Sequence, residues 1–303
     1  MFDFSDLHAR LSALAERPLF FIGGTAKSGT TWLQMLLDAH PEISCRGEGH
    51  FFDALGPMLA EAVDQYSGRI TWKNETIFKE MDGYPRFPVE GGLYLLTSAA
   101  LLMLEAQSRG RTARVLGERT PDNIRCLPLI GLVLPRAKII HMVRDGRDCA
   151  VSAWFHNQRV TPEWAQREFP TLDSHLEKYA AAWTQENAEA LAFADKHPEA
   201  CCRVRYEDLL ADTPGELARL YRFLGVSDAE TLLAEACRRA DFQVLSRGRP
   251  PGREDRTSFF RKGQAGDWKN HLSPAQEARF LEITAGLMQR FGYAGSGAQP
   301  PGP

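Results

Sequence analysis

Leu19-Phe20-Phe21-Ile22-Gly23-Gly24-Thr25-Ala26-Lys27-Ser28-Gly29-Thr30-Thr31-Trp32 reads as an apolar strand, then a small glycine-bearing turn holding one lysine, then a helix. Such a turn gathers exposed backbone N–H groups at the positive end of a helix, which makes it an anion cradle. The same residues could instead serve only turn and cap geometry. Outward from this corner, β-rich runs at 43–45, 114–117, 138–143 and 202–205 alternate with amphipathic segments at 31–39, 148–156, 172–194 and 215–224. The alternation predicts an α/β fold, a single domain with a central parallel sheet flanked by helices. Its ligand is expected at the carboxyl ends of the strands.

Gly24 and Gly29 stand where the two glycines of a Walker A loop belong, but Thr30 replaces its lysine and the positive charge sits at Lys27; Thr31 keeps the hydroxyl. A nucleoside triphosphatase would lack the lysine that reaches the β- and γ-phosphates. A terminal sulfuryl group carries about one negative charge where a phosphoryl carries about two, so one lysine and a helix N-terminus suffice without a metal.

The 36 basic and 39 acidic residues leave a net charge of -3, so the chain as a whole does not attract nucleic acid, and any basic site is local. No run reads as a transmembrane helix, and the N-terminus has acids where a signal peptide is basic. The six cysteines show no C-x-x-C spacing, which fits reduced, buried thiols, and no His/Cys cluster has zinc spacing. A cytoplasmic protein is expected. Residues 1–293 are read as the domain. Within it, 53–110, with Trp72, Tyr84 and Phe87, is an acceptor-side insertion; 246–262, with five arginines, is a mobile basic lid; 294–303 is a disordered tail.

Two further segments suit phosphates. The 138–143 strand ends in Arg144-Asp145-Gly146-Arg147-Asp148, where Arg144 and Ser152, a turn into the next helix, could grip one anion; Arg147 could instead be merely solvated. Phe259-Phe260-Arg261-Lys262-Gly263 through Gly266-Asp267-Trp268-Lys269 joins cations, flexible glycines and aromatic faces. His141 and His156 are read as packing residues without a role.

Taken in order, these motifs resemble those of the sulfotransferases that use 3'-phosphoadenosine-5'-phosphosulfate (PAPS). The resemblance implies that Lys27 meets the bridging and sulfuryl oxygens, that the backbone of Ser28, Gly29, Thr30 and Thr31 holds the 5'-phosphate, and that Trp32 and Tyr206 (in Arg205-Tyr206-Glu207-Asp208-Leu209) flank the adenine. It further implies that Arg144 and Ser152 hold the 3'-phosphate and that Phe259, Arg261, Lys262 and Gly263 close over it. The reaction implied is sulfuryl transfer to a hydroxyl of a small molecule, lipid or glycan, leaving 3',5'-bisphosphoadenosine, with no metal. The family's short dimer motif overlaps 269–278, but Pro274 and Ala278 replace its valine and glutamate.

The histidine base of the small-molecule branch has no counterpart in Gly117-Glu118-Arg119-Thr120-Pro121. The segment Glu48-Gly49-His50-Phe51-Phe52 is instead similar to an element of the glutamate-using heparan branch, which makes Glu48 the expected base and His50 the runner-up. Arg119 replaces that branch's lysine and is expected to stabilise charge at the transferring group, oriented by Glu118. The acceptor pocket is expected from residues 50–110 and 154–172. A small-molecule kinase with a P-loop and a non-catalytic nucleotide-binding module are the alternatives.

Overall fold

A computed structural model describes residues 3–293; the expected tail at 294–303 lies outside them. Helix α1 (Phe4–Ala15) leads into β1 (Leu19–Gly23), followed by α2 (Thr30–Asp38) and β2 (Ile43–Cys45). A π-helical turn (Phe51–Leu55) and helices α3 (Gly56–Thr76) and α4 (Val89–Gln107) precede β3 (Val115–Arg119), a 3-10 turn (Pro121–Arg125) and α5 (Leu127–Val133). Next come β4 (Lys138–Val143), α6 (Gly146–Val160), α7 (Pro162–Glu168) and α8 (Leu172–Lys196). The last strand, β5 (Cys201–Arg205), runs into α9 (Tyr206–Ala211) and α10 (Thr213–Leu224).

The five strands form one parallel sheet in the order β2-β3-β1-β4-β5. All five residues of β1 are buried, as a central parallel strand covered on both faces requires. Side chains alternate across it. Phe20 and Ile22 join Leu33, Leu36 and Leu37 of α2 and Leu217, Leu220 and Tyr221 of α10, whereas Leu19 and Phe21 join Leu101 and Leu104 of α4 and Leu127 and Ile130 of α5. Because β3 and β4 lie on opposite sides of β1, the loops after all three strands open at one carboxyl edge, the switch point where α/β ligands bind.

The expected strand at 114–117 runs two residues further, to Arg119, which decides how Glu118 and Arg119 point. Near the end of the domain two helices, Pro274–Ile283 and Leu287–Arg290, are separated at Ala285 (φ +45°) and Gly286 (φ +83°). One expectation fails outright. Helix α4 is 19 residues long with mean hydropathy 1.3, long and apolar enough to cross a membrane. The run was hidden because near-neutral Gly91, Gly92, Thr97 and Ser98 interrupt it, while its only charges, Glu90 and Glu105, sit near its ends. In the fold, Leu96, Ala100, Leu101 and Leu104 form a buried stripe on this helix.

Helix α8 ties the core to the carboxyl edge. Trp183 is fully buried, packs edge-on to Phe291 and donates its Nε1–H to the carbonyl of Arg144 at 3.2 Å. Replacing Trp183 by Ala should cost about 3–5 kcal/mol, a cavity penalty plus an orphaned carbonyl, read as a lower midpoint in urea unfolding.

Candidate active site

The turn after β1 is shaped by contacts that admit no side chain. A Cβ on Gly24 would sit 2.3 Å from the Met142 carbonyl oxygen. One on Gly29, whose φ is +102°, would sit 2.6 Å from the Tyr206 ring. Lys27 is itself left-handed (φ +70°), a conformation costing roughly 1–2 kcal/mol for a residue with a Cβ. Gly29 then caps α2, whose first N–H groups remain free for an anion.

This turn, the loops after β3 and β4, α6, α8 and residues 259–264 enclose a cavity of about 1000 Å³. Lys27, Gly29, Thr30, Thr31, Trp32, Glu48, Arg119, Arg144, Ser152, Tyr206, Phe259, Arg261, Lys262 and Gly263, drawn from segments far apart in sequence, all line it. Ser28 and His50 do not. Ser28 is buried behind the turn, and His50 stands behind Glu48, its Nε2 3.2 Å from a Glu48 carboxylate oxygen and its Nδ1 2.7 Å from Asp53. The Asp53 hydrogen bond, first among its causes, raises the His50 pKa.

Lys27 carries the only cation of the turn, and among the described residues no carboxylate pairs with it. Its Nζ lies 3.4 Å from His156 Nδ1 and 4.7 Å from the centre of the Phe259 ring. Burial, followed by repulsion from Arg159 and Arg144, lowers its pKa to about 8. An ammonium only donates, so His156 Nδ1 accepts, and burial together with Lys27 and Arg159 lowers the His156 pKa to about 4. His156 therefore belongs to the site, contrary to the expectation of a packing role. Its position one turn after Ser152 on the cavity face of α6 was the available signal. His141 does pack, bonded to Asn187 at 2.9 Å.

Arg144 lies over the Tyr206 ring at 4.2 Å and donates to the Gln264 carbonyl at 3.0 Å. Trp32 meets Tyr206 edge-on at 5.6 Å and is fixed by its Nε1–H to the Ala240 carbonyl. Buried side-chain atoms without partners cluster here: Arg119 Nε, Arg144 Nε, Arg261 Nε, His175 Nδ1 and Glu186 Oε2 all belong to cavity-lining residues.

The structure refines four readings. Arg147 is buried, not solvated, bonded to Asp145 and Glu277 and stacked 3.8 Å over Trp268. Glu118 does not orient Arg119, because neighbours on a strand face opposite ways. It accepts from the Gly49 N–H, Thr120 and Asn123, pinning the loop that carries Glu48, and Glu48 itself pairs with Arg119. The basic loop has cations that are paired. Arg261 pairs with Glu254 and Asp267, Lys262 with Asp267, and Asp148 grips the N–H groups of Gly266 and Trp268 at 2.7 and 2.9 Å. Ligand atoms of Glu254, Asp267 and His271 lie within 4.8 Å of one another, but these carboxylates are already held by the two cations. Finally, nothing from residues 49–118 lines the cavity, so Trp72, Tyr84 and Phe87 face elsewhere. Its far wall is α7 and α8, through Trp164, Phe169 and Tyr179 among others.

Lys27 must be charged to neutralise an anion, and its lowered pKa means the charge is present below about pH 8 and lost above it. The affinity of the free protein for 3',5'-bisphosphoadenosine should therefore fall as pH rises through about 8. Arg159→Gln, removing the larger of the two repulsions, should move that fall to higher pH in a calorimetric titration series.

Residues 18–230 match the model of the sulfotransferase family. The chain is 27% identical to a putative protein-tyrosine sulfotransferase of Caenorhabditis briggsae over 71% of this chain and 68% of that one. It is 28% identical to protein-tyrosine sulfotransferase 1 of Danio rerio over 70% of this chain, and spans only 54% of that relative's length. Its fold is similar to that of mouse sulfotransferase SULT7A1 complexed with PAP, with TM-score 0.57, 19% identity and coverage of 94% of this chain and 91% of that one. With the family model covering well over half its length, and with the glycine-framed lysine turn at the sheet's switch point, the chain belongs to the sulfotransferase family.

Proposed function

We propose that this protein transfers a sulfuryl group from PAPS to an acceptor hydroxyl. The observation that carries the reading is Lys27, a half-buried ammonium with no carboxylate partner among the described residues, in the same cavity as the Glu48–Arg119 pair. PAPS when bound supplies an activated sulfuryl group whose leaving oxygen gathers negative charge during transfer. The N–H groups of residues 28–31 suit its 5'-phosphate, Arg144 with Ser152 its 3'-phosphate, and Trp32 and Tyr206 its adenine. Lys27 would neutralise the developing charge in a site partly screened from water, where a fixed cation acts strongly. His156 holds that ammonium in place without lending it a negative charge.

Glu48 takes the acceptor proton in this reading. It lines the cavity, whereas His50 stands behind it, and the Arg119 and His50 contacts fix the carboxylate's direction. The acceptor is an aryl hydroxyl, a class suggested by the aromatic wall of Trp164, Phe169 and Tyr179; the relatives in worm and zebrafish are named for protein tyrosine, itself a phenol. A kinase of P-loop type would place a lysine at Thr30 and need magnesium and ATP.

Arg144→Ala should weaken 3',5'-bisphosphoadenosine by tenfold or more, since a charge-assisted contact contributes about 1.5–3 kcal/mol, and leave AMP nearly unaffected in parallel titrations. Equal losses for both nucleotides would remove the 3'-phosphate assignment.

With the base at Glu48, Glu48→Gln should lower kcat by roughly 10²–10⁴ with nucleotide affinity intact, and His50→Gln should do far less. The reverse order would move the base to His50. Rates insensitive to EDTA are expected throughout, and restoration of turnover by magnesium with ATP would favour the kinase.

A further inference from the structure

Asp148 stands on the first turn of α6, four residues after Arg144 and four before Ser152, and only 1% of its side chain is exposed. Taking a carboxylate out of water costs a great deal unless its oxygens find donors. Here the donors come from a loop more than a hundred residues away. Oδ1 accepts from the Trp268 N–H at 2.9 Å and Oδ2 from the Gly266 N–H at 2.7 Å, while a guanidinium nitrogen of Arg144 lies 3.4 Å from Oδ2.

The two N–H groups converge on one carboxylate with Gly266 in the left-handed region at φ +79°, which a glycine adopts without strain. Such a nest of N–H groups binds anions. Asp148 fills this one, so these groups anchor the loop to α6 and are not kept for a ligand. Between the two anchored positions sits Asp267, also 1% exposed, which takes Arg261 at 2.6 Å, Lys262, and Asn270 at 2.9 Å. Arg144 adds its own bond to the Gln264 carbonyl at 3.0 Å. One buried carboxylate thus fixes, directly or through Asp267, three cations that line the cavity: Arg144, Arg261 and Lys262.

We propose that Asp148 is the positioning residue of the 3'-phosphate end: by clamping residues 264–268 to α6 it builds that end of the site before any nucleotide arrives. The proposal rests on the sulfuryl-transfer reading and adds to it the residue that prepares the site. Asp148 does not touch the phosphate, which its charge would repel; it acts through Arg144 and the loop. A loop ordered in advance spares the nucleotide the entropy of ordering it, so the 3'-phosphate's contacts count fully toward affinity.

Two measurements test this. Amide hydrogen exchange followed by NMR should find the Gly266 and Trp268 N–H groups protected in the free protein, with little change when 3',5'-bisphosphoadenosine is added. In Asp148→Asn an amide NH2 replaces one of the two accepting oxygens, so one arm of the clamp is lost at nearly constant size. Calorimetric titration of that variant should show the bisphosphate weakened by roughly tenfold or more and AMP held within about twofold of its affinity for the unaltered protein. A residue that served folding alone would weaken both nucleotides alike. Fast exchange at Gly266 and Trp268 that slows only with the bisphosphate, equal losses for the two nucleotides, or an unchanged bisphosphate affinity overturns the proposal. If Asp148→Asn fails to fold, as read by loss of a cooperative urea transition, the exchange measured on the unaltered protein decides alone. Failure of the unaltered protein to bind the bisphosphate more tightly than AMP would instead overturn the nucleotide reading beneath it.

Discussion

A half-buried lysine ammonium that no carboxylate pairs with, among the described residues, is the constraint that organises this molecule. Burial opposes charge, and two nearby arginines oppose it further, so Lys27 is held at a pKa of about 8 by its surroundings alone. Among the described residues its ammonium meets neutral acceptors, the His156 imidazole and the Phe259 ring. Its charge is therefore left for a ligand. Everything that keeps it there follows from that: the left-handed backbone, the glycines at 24 and 29 that let Met142 and Tyr206 press against the turn, and α8 bonded to the carbonyl of Ala26.

The other cations of the cavity are treated differently. Arg261 and Lys262 are paired with Asp267, and Arg144 leans on a ring, a carbonyl and Asp148. Glu48 and Arg119 neutralise each other at the boundary between the nucleotide end and the aromatic arm. This gradation matches division of labour in group transfer: groups that bind can be satisfied beforehand, whereas a group that must answer charge developing in the transition state works best uncommitted. Asp148 links the two kinds of site, since it touches Arg144 and also clamps the N–H groups of Gly266 and Trp268.

Much of this was legible in one dimension. The alternation of apolar strands with amphipathic segments placed all five strands within about two residues of their observed bounds, because parallel strands buried on both faces need continuous apolar runs that local composition displays. The turn at Lys27, the strand end at Arg144 and the loop at Arg261 were legible for a related reason: each is built from backbone or adjacent side chains, so its chemistry is contiguous in sequence. The third strand's end was misread by two residues, and that shift alone turned Glu118 away from Arg119.

What the sequence could not display was the joining of distant segments. His156 looked like an isolated residue on a helix until α6 was laid beside the turn, 129 residues earlier, that carries Lys27. The aromatic insertion at 53–110 looked like part of the acceptor wall because composition reports only that rings are present, not which face they cover; of the expected pocket only the 154–172 part lines the cavity, joined by α8. Nor did the sequence say whether Arg147 was solvated; Asp145, Glu277 and Trp268 enclose it. The sequence by itself determined the sheet, the anion turn and the family's nucleotide motifs, since these depend on local periodicity and adjacent residues. The tertiary structure alone decided which carboxylate holds Arg119, which histidine meets Lys27 and where the second arm of the cavity lies, since each depends on side chains brought together from elements far apart in the chain.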